Sequence, residues 1–309
     1  MRISVLLDNY NYGRFLNRAI ASALPQLAAA DELILVDDGS TDDSAAIMSE
    51  WAARDQRIQL VAKKNGGQLS AFNAGFARCT GDLVCFLDAD DEYGPGYLER
   101  LRQVYREQPQ VDHVFCRCEV IGDGSAETRA EPGELRLAHD WDFGLTYCQV
   151  CLLRSYIGGP TSSLSFRRRF LARILPYAWE DDWGTRADDV LVYGSSVLLG
   201  RKYFVADPLV RYHVHGHNNF RNVKPDGMEQ WRHDFAVTRL IHHFGGTVLS
   251  GEREWHNLIL REFKIKPRLL AADEDLYLHM IEQYVPWRRR FKAKSRIRQH
   301  ARQLGTVRR

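Results

Sequence analysis

Three carboxylates set around one alanine, Asp88-Ala89-Asp90-Asp91, follow directly on the apolar run Leu83 to Leu87. A run of that length reads as a buried strand. Acids at its end stand on the carboxyl edge of a sheet, where open α/β sheets bind ligands. Carboxylate oxygens are hard ligands that suit Mg²⁺ or Mn²⁺, and Mg²⁺ typically binds through one or two carboxylates plus substrate phosphates. The chemistry expected here is a metal-diphosphate site; a solvated acidic turn is the plain alternative. A second acidic pair, Asp37-Asp38, follows the apolar stretch Leu33–Val36. An acid there can accept from the N3–H of uracil or from a ribose hydroxyl. Nearby cations are few (Lys63, Lys64), which makes a metal the better neutraliser of a pyrophosphate.

The elements that must position these acids alternate along the first 120 residues. Strand-like segments fall at Ile3–Leu7, Glu32–Val36, Ile58–Ala62, Asp82–Leu87 and Val111–Ile121. Helical segments fall between them: Arg14–Leu24, stopped by Pro25; Ser44–Arg54, after Ser40-Thr41-Asp42; one opened by Gly66-Gly67; and one from Pro95 to about Glu107. This β-α-β-α order predicts an α/β fold with a mostly parallel, doubly wound sheet, whose two acidic pairs end at the same edge. The middle is less regular. Gly122–Asp140 reads as a loop or hairpin, Asp188–Leu199 as a helix, and Tyr203–Val205 and Val210–Val214 as short strands. From about Pro225 the chain turns helical and aromatic-rich.

Several classes drop out. A dinucleotide fold needs G-x-G-x-x-G after the first strand, and that turn here is Asp8-Asn9-Tyr10-Asn11-Tyr12-Gly13. No Walker-type phosphate loop is found. No run of ~20 apolar residues could span a bilayer, and no leader-like segment opens the sequence, so the expected location is the cytoplasm. Among six cysteines, Cys116-x-Cys118 and Cys148-x-x-Cys151 have zinc-like spacing. Val114, Cys116, Cys118 and Val120 alternate as one strand face does, which favours buried free thiols. The net charge of +2 hides an asymmetry: Glu282 is the last acid, and ten of the 42 bases follow it. The rest of the chain is acidic. A basic tail of this kind, residues 286–309 with Trp287, Phe291 and Ile297 interleaved, is expected to meet an anionic membrane surface rather than nucleic acid.

The set Ser4-Val5-Leu6-Leu7-Asp8-Asn9-Tyr10-Asn11, Val36-Asp37-Asp38-Gly39-Ser40-Thr41-Asp42, Asn65-Gly66-Gly67-Gln68 with Asn73-Ala74-Gly75, and Leu87-Asp88-Ala89-Asp90-Asp91 resembles glycosyltransferase family 2. A weaker likeness continues through Pro160-Thr161-Ser162-Ser163, Arg186-Ala187-Asp188-Asp189 and Arg211 to Gly216. The resemblance implies a GT-A fold: a Rossmann-like, mostly parallel mixed sheet flanked by helices. It implies a domain over 1–222, with a nucleotide-binding half (1–121) and an acceptor and catalytic half (122–222), followed by a helical extension (223–309). It also implies inverting, metal-dependent transfer of a sugar from a nucleotide sugar, UDP-linked by expectation, to a hydroxyl of a glycan or lipid-linked glycan. Asp8, Tyr10, Asn11, Asp37, Asp38, Gln68, Asn73 and Asp88 are then expected at the nucleotide. Asp90, Asp88 and His215 are expected at Mn²⁺ or Mg²⁺. The family often has proline where Asp8 stands.

An inverting transfer needs a general base opposite the diphosphate. The resemblance points to Asp189, then Asp188, with Glu180 to Asp182 behind. A non-catalytic nucleotide- or glycan-binding protein is the alternative, although such a protein would usually have lost Asp90 or the Asp188-Asp189 pair. A nucleotidyltransferase would carry a glycine-rich basic first loop, unlike Asp8 to Gly13.

Overall fold

Strand β1 (Ile3–Asn9) sends Ile3, Val5 and Leu7 into one apolar core and Leu6 into another. The same alternation holds along β2 (Glu32–Asp37) and β4 (Leu83–Asp88), so these strands are buried on both faces and read as continuous apolar runs. The structure, a computed structural model, describes residues 1–122, 137–216, 226–248, 255–304 and 306–307. The central strand order is β3-β2-β1-β4-β8-β6-β9-β5, with β7 beside β9. Here β3 is Ile58–Ala62, β5 Glu92–Tyr93, β6 His113–Gly122, β7 Trp141–Gly144, β8 Leu164–Arg167 and β9 Lys202–Val214. The first four strands in the order are parallel; β8 is antiparallel to both β4 and β6. The sheet is therefore mixed, as the GT-A expectation has it.

The two short strands expected near Tyr203 and Val210 are one strand, β9, whose pairing with β6 shifts register around Arg117. A β-bulge keeps pairing across a break that sequence alternation reads as two segments. Most of the expected loop at Gly122–Asp140 lies outside the described residues.

Helices α1 (Gly13–Ala23), α2 (Ser44–Arg54) and α4 (Tyr97–Glu107) cover one face; α3 (Gln68–Phe76) covers the other. On that second face also lie α5 (Tyr147–Leu153), α6 (Arg168–Leu171) and α7 (Asp188–Val197). The C-terminal helices are α8 (Gly227–Val248), α9 (Trp255–Ile265), α10 (Asp273–Tyr284) and α11 (Trp287–Leu304). They share a core with the second face: Leu240 and Phe244 of α8, Phe263 of α9, Met280 of α10 and Ile297 of α11 are all buried in it. Ile297 is thus unavailable to a lipid surface. In α11, Ala293, Ile297 and Ala301 recur every four residues on the buried stripe. Trp287 and Phe291 remain 74% and 86% exposed. No described helix is long and apolar enough to cross a membrane.

Candidate active site

The parallel register places Asp8 directly beside Asp88, on neighbouring strands at the carboxyl edge of the sheet. Just beyond, one ligand atom each from Asp88, Asp90 and Asp91 lies within 4.8 Å of the others. Like charges this close, removed from water, resist ionisation together. Burial raises the Asp8 carboxyl to about 7, with the Asp90 charge adding to it. Burial and the charges of Asp8, Asp91 and Asp90 push Asp88 well above its ordinary range. Asp8 Oδ1 is buried with no hydrogen-bond partner among the described residues. A hard divalent cation suits this donor set: oxygen ligands, crowded, negative and incompletely hydrogen-bonded.

The acids are not equivalent. Asp91 accepts from Ser162 Oγ at 2.6 Å and from the His213 amide at 2.9 Å, one bond to each oxygen. It ties the turn to Ser162, in the short 3₁₀ turn Thr161–Ser163, and to β9, so its part is to hold the loop. Ser162 Oγ also accepts from the Asp88 amide at 3.0 Å. Asp90 faces the cavity, with His215 Nε2 3.0 Å from its Oδ2. The His215 ring stacks on Phe15 of α1 at 4.5 Å, which fixes the ring plane beside the acids.

A cavity of about 1050 Å³ opens over this edge. Asp8, Tyr10, Asp38, Gln68, Asp88, Asp90, Asp188 and Asp189 line it; Asn11, Asp37, Asn73 and His215 do not. Tyr10, 45% exposed, stands at the rim. Asp38 is committed to the following loop: its carboxylate accepts from Lys63 Nζ, from the Gly66 amide at 3.1 Å and from the Gly67 amide at 2.7 Å. Gly67 has φ +84, and a Cβ there would lie 2.6 Å from Gly184 Cα, so only glycine fits the approach. Asn11 caps the neighbouring turn through the Thr41 amide at 2.7 Å, and Asp37 accepts from the Ser40 amide. Asn73 spends its amide on Tyr177 and on Glu180 Oε1 at 2.6 Å.

A strap, residues 177–187, crosses from this acidic edge to α7. Gln68 joins the two, donating to Asp88 Oδ1 at 3.2 Å and accepting from the Ala187 amide at 2.9 Å. At the strap's end Asp188 and Asp189 differ sharply. Asp188 meets Tyr156 Oη at 3.2 Å, and burial together with the Asp189 charge raises it to about 7. Both Asp188 and Asp88 line the cavity. Asp189 is buried, with Arg186 Nη2 at 3.0 Å and His233 Nε2 at 2.6 Å, both on Oδ2. Sequence reasoning did not single out Ser162, Tyr156 or His233 as individual site residues. Ser162 lay in a quoted motif; Tyr156 and His233 carry no local signal.

The family model for glycosyl transferase family 2 matches residues 4–174. An uncharacterized glycosyltransferase of Nostoc sp. is 35% identical over 233 residues, or 74% of this chain and 70% of that protein. Among solved structures, residues 1–349 of TarS from S. aureus, in complex with UDP-GlcNAc, align with a TM-score of 0.62 at 16% identity, over 98% of this chain and 90% of theirs. The mannosyltransferase PcManGT from Pyrobaculum calidifontis, in complex with GDP-Man and Mn²⁺, aligns with a TM-score of 0.54 at 18% identity, over 99% and 76%. At such identities the likeness establishes the GT-A fold.

Proposed function

The chain belongs to glycosyl transferase family 2, and from that premise we propose inverting, metal-dependent transfer of a sugar from a UDP-sugar to a hydroxyl of a glycan or lipid-linked glycan. One observation carries the reading: the Asp88-Asp90 cluster and the Asp188-Asp189 pair line one cavity from opposite elements, β4 and α7. Asp90 and Asp88 would hold the cation, with His215, whose Nε2 meets Asp90 Oδ2 at 3.0 Å, as the further ligand the family resemblance implies. When bound, the ion supplies positive charge that neutralises the diphosphate and eases its departure.

The chain's own groups do the rest. Tyr10 covers the base from the rim, and the loop that Asp38 holds, through Gly66 and Gly67, forms the floor. Gln68 spans donor edge and strap, and so sets the distance between leaving group and base. Asp189 takes the acceptor hydroxyl proton as the bond to the anomeric carbon forms. Asp188, which meets the Tyr156 hydroxyl at 3.2 Å, faces the donor sugar instead. The UDP preference draws support from TarS, whose complex holds UDP-GlcNAc; PcManGT holds GDP-Man, so the base is the point to test. A thermal-shift panel of UDP-, GDP- and dTDP-sugars with and without Mn²⁺ does so. A ligand bound at 100 times its Kd stabilises by about 2.7 kcal/mol. The expected result is a Mn²⁺-dependent shift largest for one UDP-sugar; equal shifts for all three bases, or none with Mn²⁺, refute the reading.

Lipid-linked acceptors sit at a membrane, and α11 offers a surface for one. Exposed Trp287 and Phe291 stand among Arg288, Arg289 and Lys292 on a helix whose opposite stripe is buried. Aromatic and basic groups together favour anionic interfaces. Trp287→Ala/Phe291→Ala is expected to weaken partitioning onto phosphatidylglycerol vesicles by about 30-fold or more, since each fully buried large apolar side chain contributes about 1.5–3 kcal/mol. Unchanged sedimentation removes α11 as the contact.

A further inference from the structure

Resting on Asp189 as the base, we propose that His233 of the C-terminal helix α8 is its positioning residue, donating Nε2–H to fix the carboxylate for proton transfer. His233 Nε2 lies 2.6 Å from Asp189 Oδ2. An ionised carboxylate only accepts, so the ring nitrogen carries the hydrogen. Arg186 Nη2 meets the same oxygen at 3.0 Å. Both donors therefore load Oδ2, and Oδ1 is the oxygen that takes the acceptor proton. The terminal torsion of an aspartate is soft and roughly two-fold. One donor from the strap and one from α8 remove that freedom from two directions.

The contact is built rather than incidental. Trp183, fully buried, sets its ring edge-on to His233 at 5.8 Å. Arg239, six residues further along α8, pairs with Asp182 of the strap. Buried Ala236, Leu240 and Phe244 press the same side of α8 into the shared core. Helix α8 thus reaches both the strap, at Asp182, and the start of α7, where the imidazole of His233 meets the reacting carboxylate. The C-terminal helices are by this account part of the catalytic apparatus.

The test uses the full chain, with UDP released from the UDP-sugar of largest thermal shift as the turnover readout. His233→Ala is expected to lower kcat about 10–100-fold, the rate equivalent of one charge-assisted hydrogen bond, with KM for the donor unchanged. His233→Gln, whose amide N–H can stand where Nε2–H stood, is expected to restore most of the rate. A packing role would lose stability in both variants and gain nothing from glutamine. Independently of turnover, Asp189→Ala and His233→Ala are expected to be non-additive in denaturant unfolding; additive losses overturn the contact. Wild-type kcat in His233→Ala, or glutamine no better than alanine, overturns the positioning role. Normal turnover in Asp189→Asn would instead overturn the base assignment, so the two failures are distinguishable.

Discussion

Asp189→Asn is expected to cut transfer by about 10²–10⁴-fold, the usual contribution of a general base, while leaving Mn²⁺-dependent donor binding intact. Asparagine keeps the shape and can still accept at its carbonyl oxygen from Arg186 and His233, which both meet Oδ2 in the wild type. It cannot take a proton at the other position. Asp189's contacts are Arg186 and His233 rather than the Asp88-Asp90-Asp91 cluster, so the donor edge should not feel the change. The split is therefore in kcat, at unchanged donor affinity by calorimetry. Asp188→Asn is the informative partner: it faces the donor side, so its loss should fall on KM as well as kcat. A normal rate in Asp189→Asn with a dead Asp188→Asn moves the base one residue earlier.

Asp90→Ala should abolish Mn²⁺-dependent donor binding, read as the loss of the UDP-sugar thermal shift, a stabilisation of about 2.7 kcal/mol with ligand at 100 times its Kd. Asp91 cannot replace it, because both of its oxygens are engaged by Ser162 and His213. The pH dependence has a definite sign. Metal binding releases protons from its ligands and their neighbours. Asp8 titrates at about 7 in the metal-free protein, so Mn²⁺ affinity should rise with pH through neutrality. For the metal-free fold the same shift runs the other way. The folded carboxyl holds its proton more tightly than the unfolded one, so Asp8 favours folding at low pH and that contribution is lost as pH rises from the ordinary carboxylate range towards 7. Melting curves from pH 5 to 8 with and without Mn²⁺ should therefore diverge as pH rises. Parallel curves in wild type, or a persisting Mn²⁺ shift in Asp90→Ala, contradict the assignment.

Much of the donor edge was legible in the sequence because it is local. An apolar strand that runs into Asp-x-Asp puts its acids at the sheet edge whatever follows, and period and turn chemistry suffice to find β1, β2 and β4. The acids' ranking was only partly legible. Asp88, Asp90 and Asp91 are interchangeable as letters. They separate once Ser162, 71 residues away, and the His213 amide, 122 away, take both oxygens of Asp91. Asn11, Asp37 and Asn73, expected at the nucleotide, also tie down the surrounding turns and strap: Asn11 Oδ1 and Asp37 Oδ1 accept from the Thr41 and Ser40 amides, and Asn73 bonds Tyr177 and Glu180.

The C-terminal region marks the limit most clearly. Its helical character, its basic end and its exposed aromatics were readable from composition and spacing. That Ile297 faces the core, and that His233 meets Asp189 across 44 residues, was not. By itself the sequence determined the fold class, the acidic edge and the chemistry that edge can do, because strand burial and acid placement follow from short-range periodicity. The tertiary structure decided which carboxylate holds a loop, which faces the cavity beside His215 and which is braced by Arg186 and His233. Those roles depend on what each oxygen touches, and the touching groups arrive from distant segments that only packing brings together.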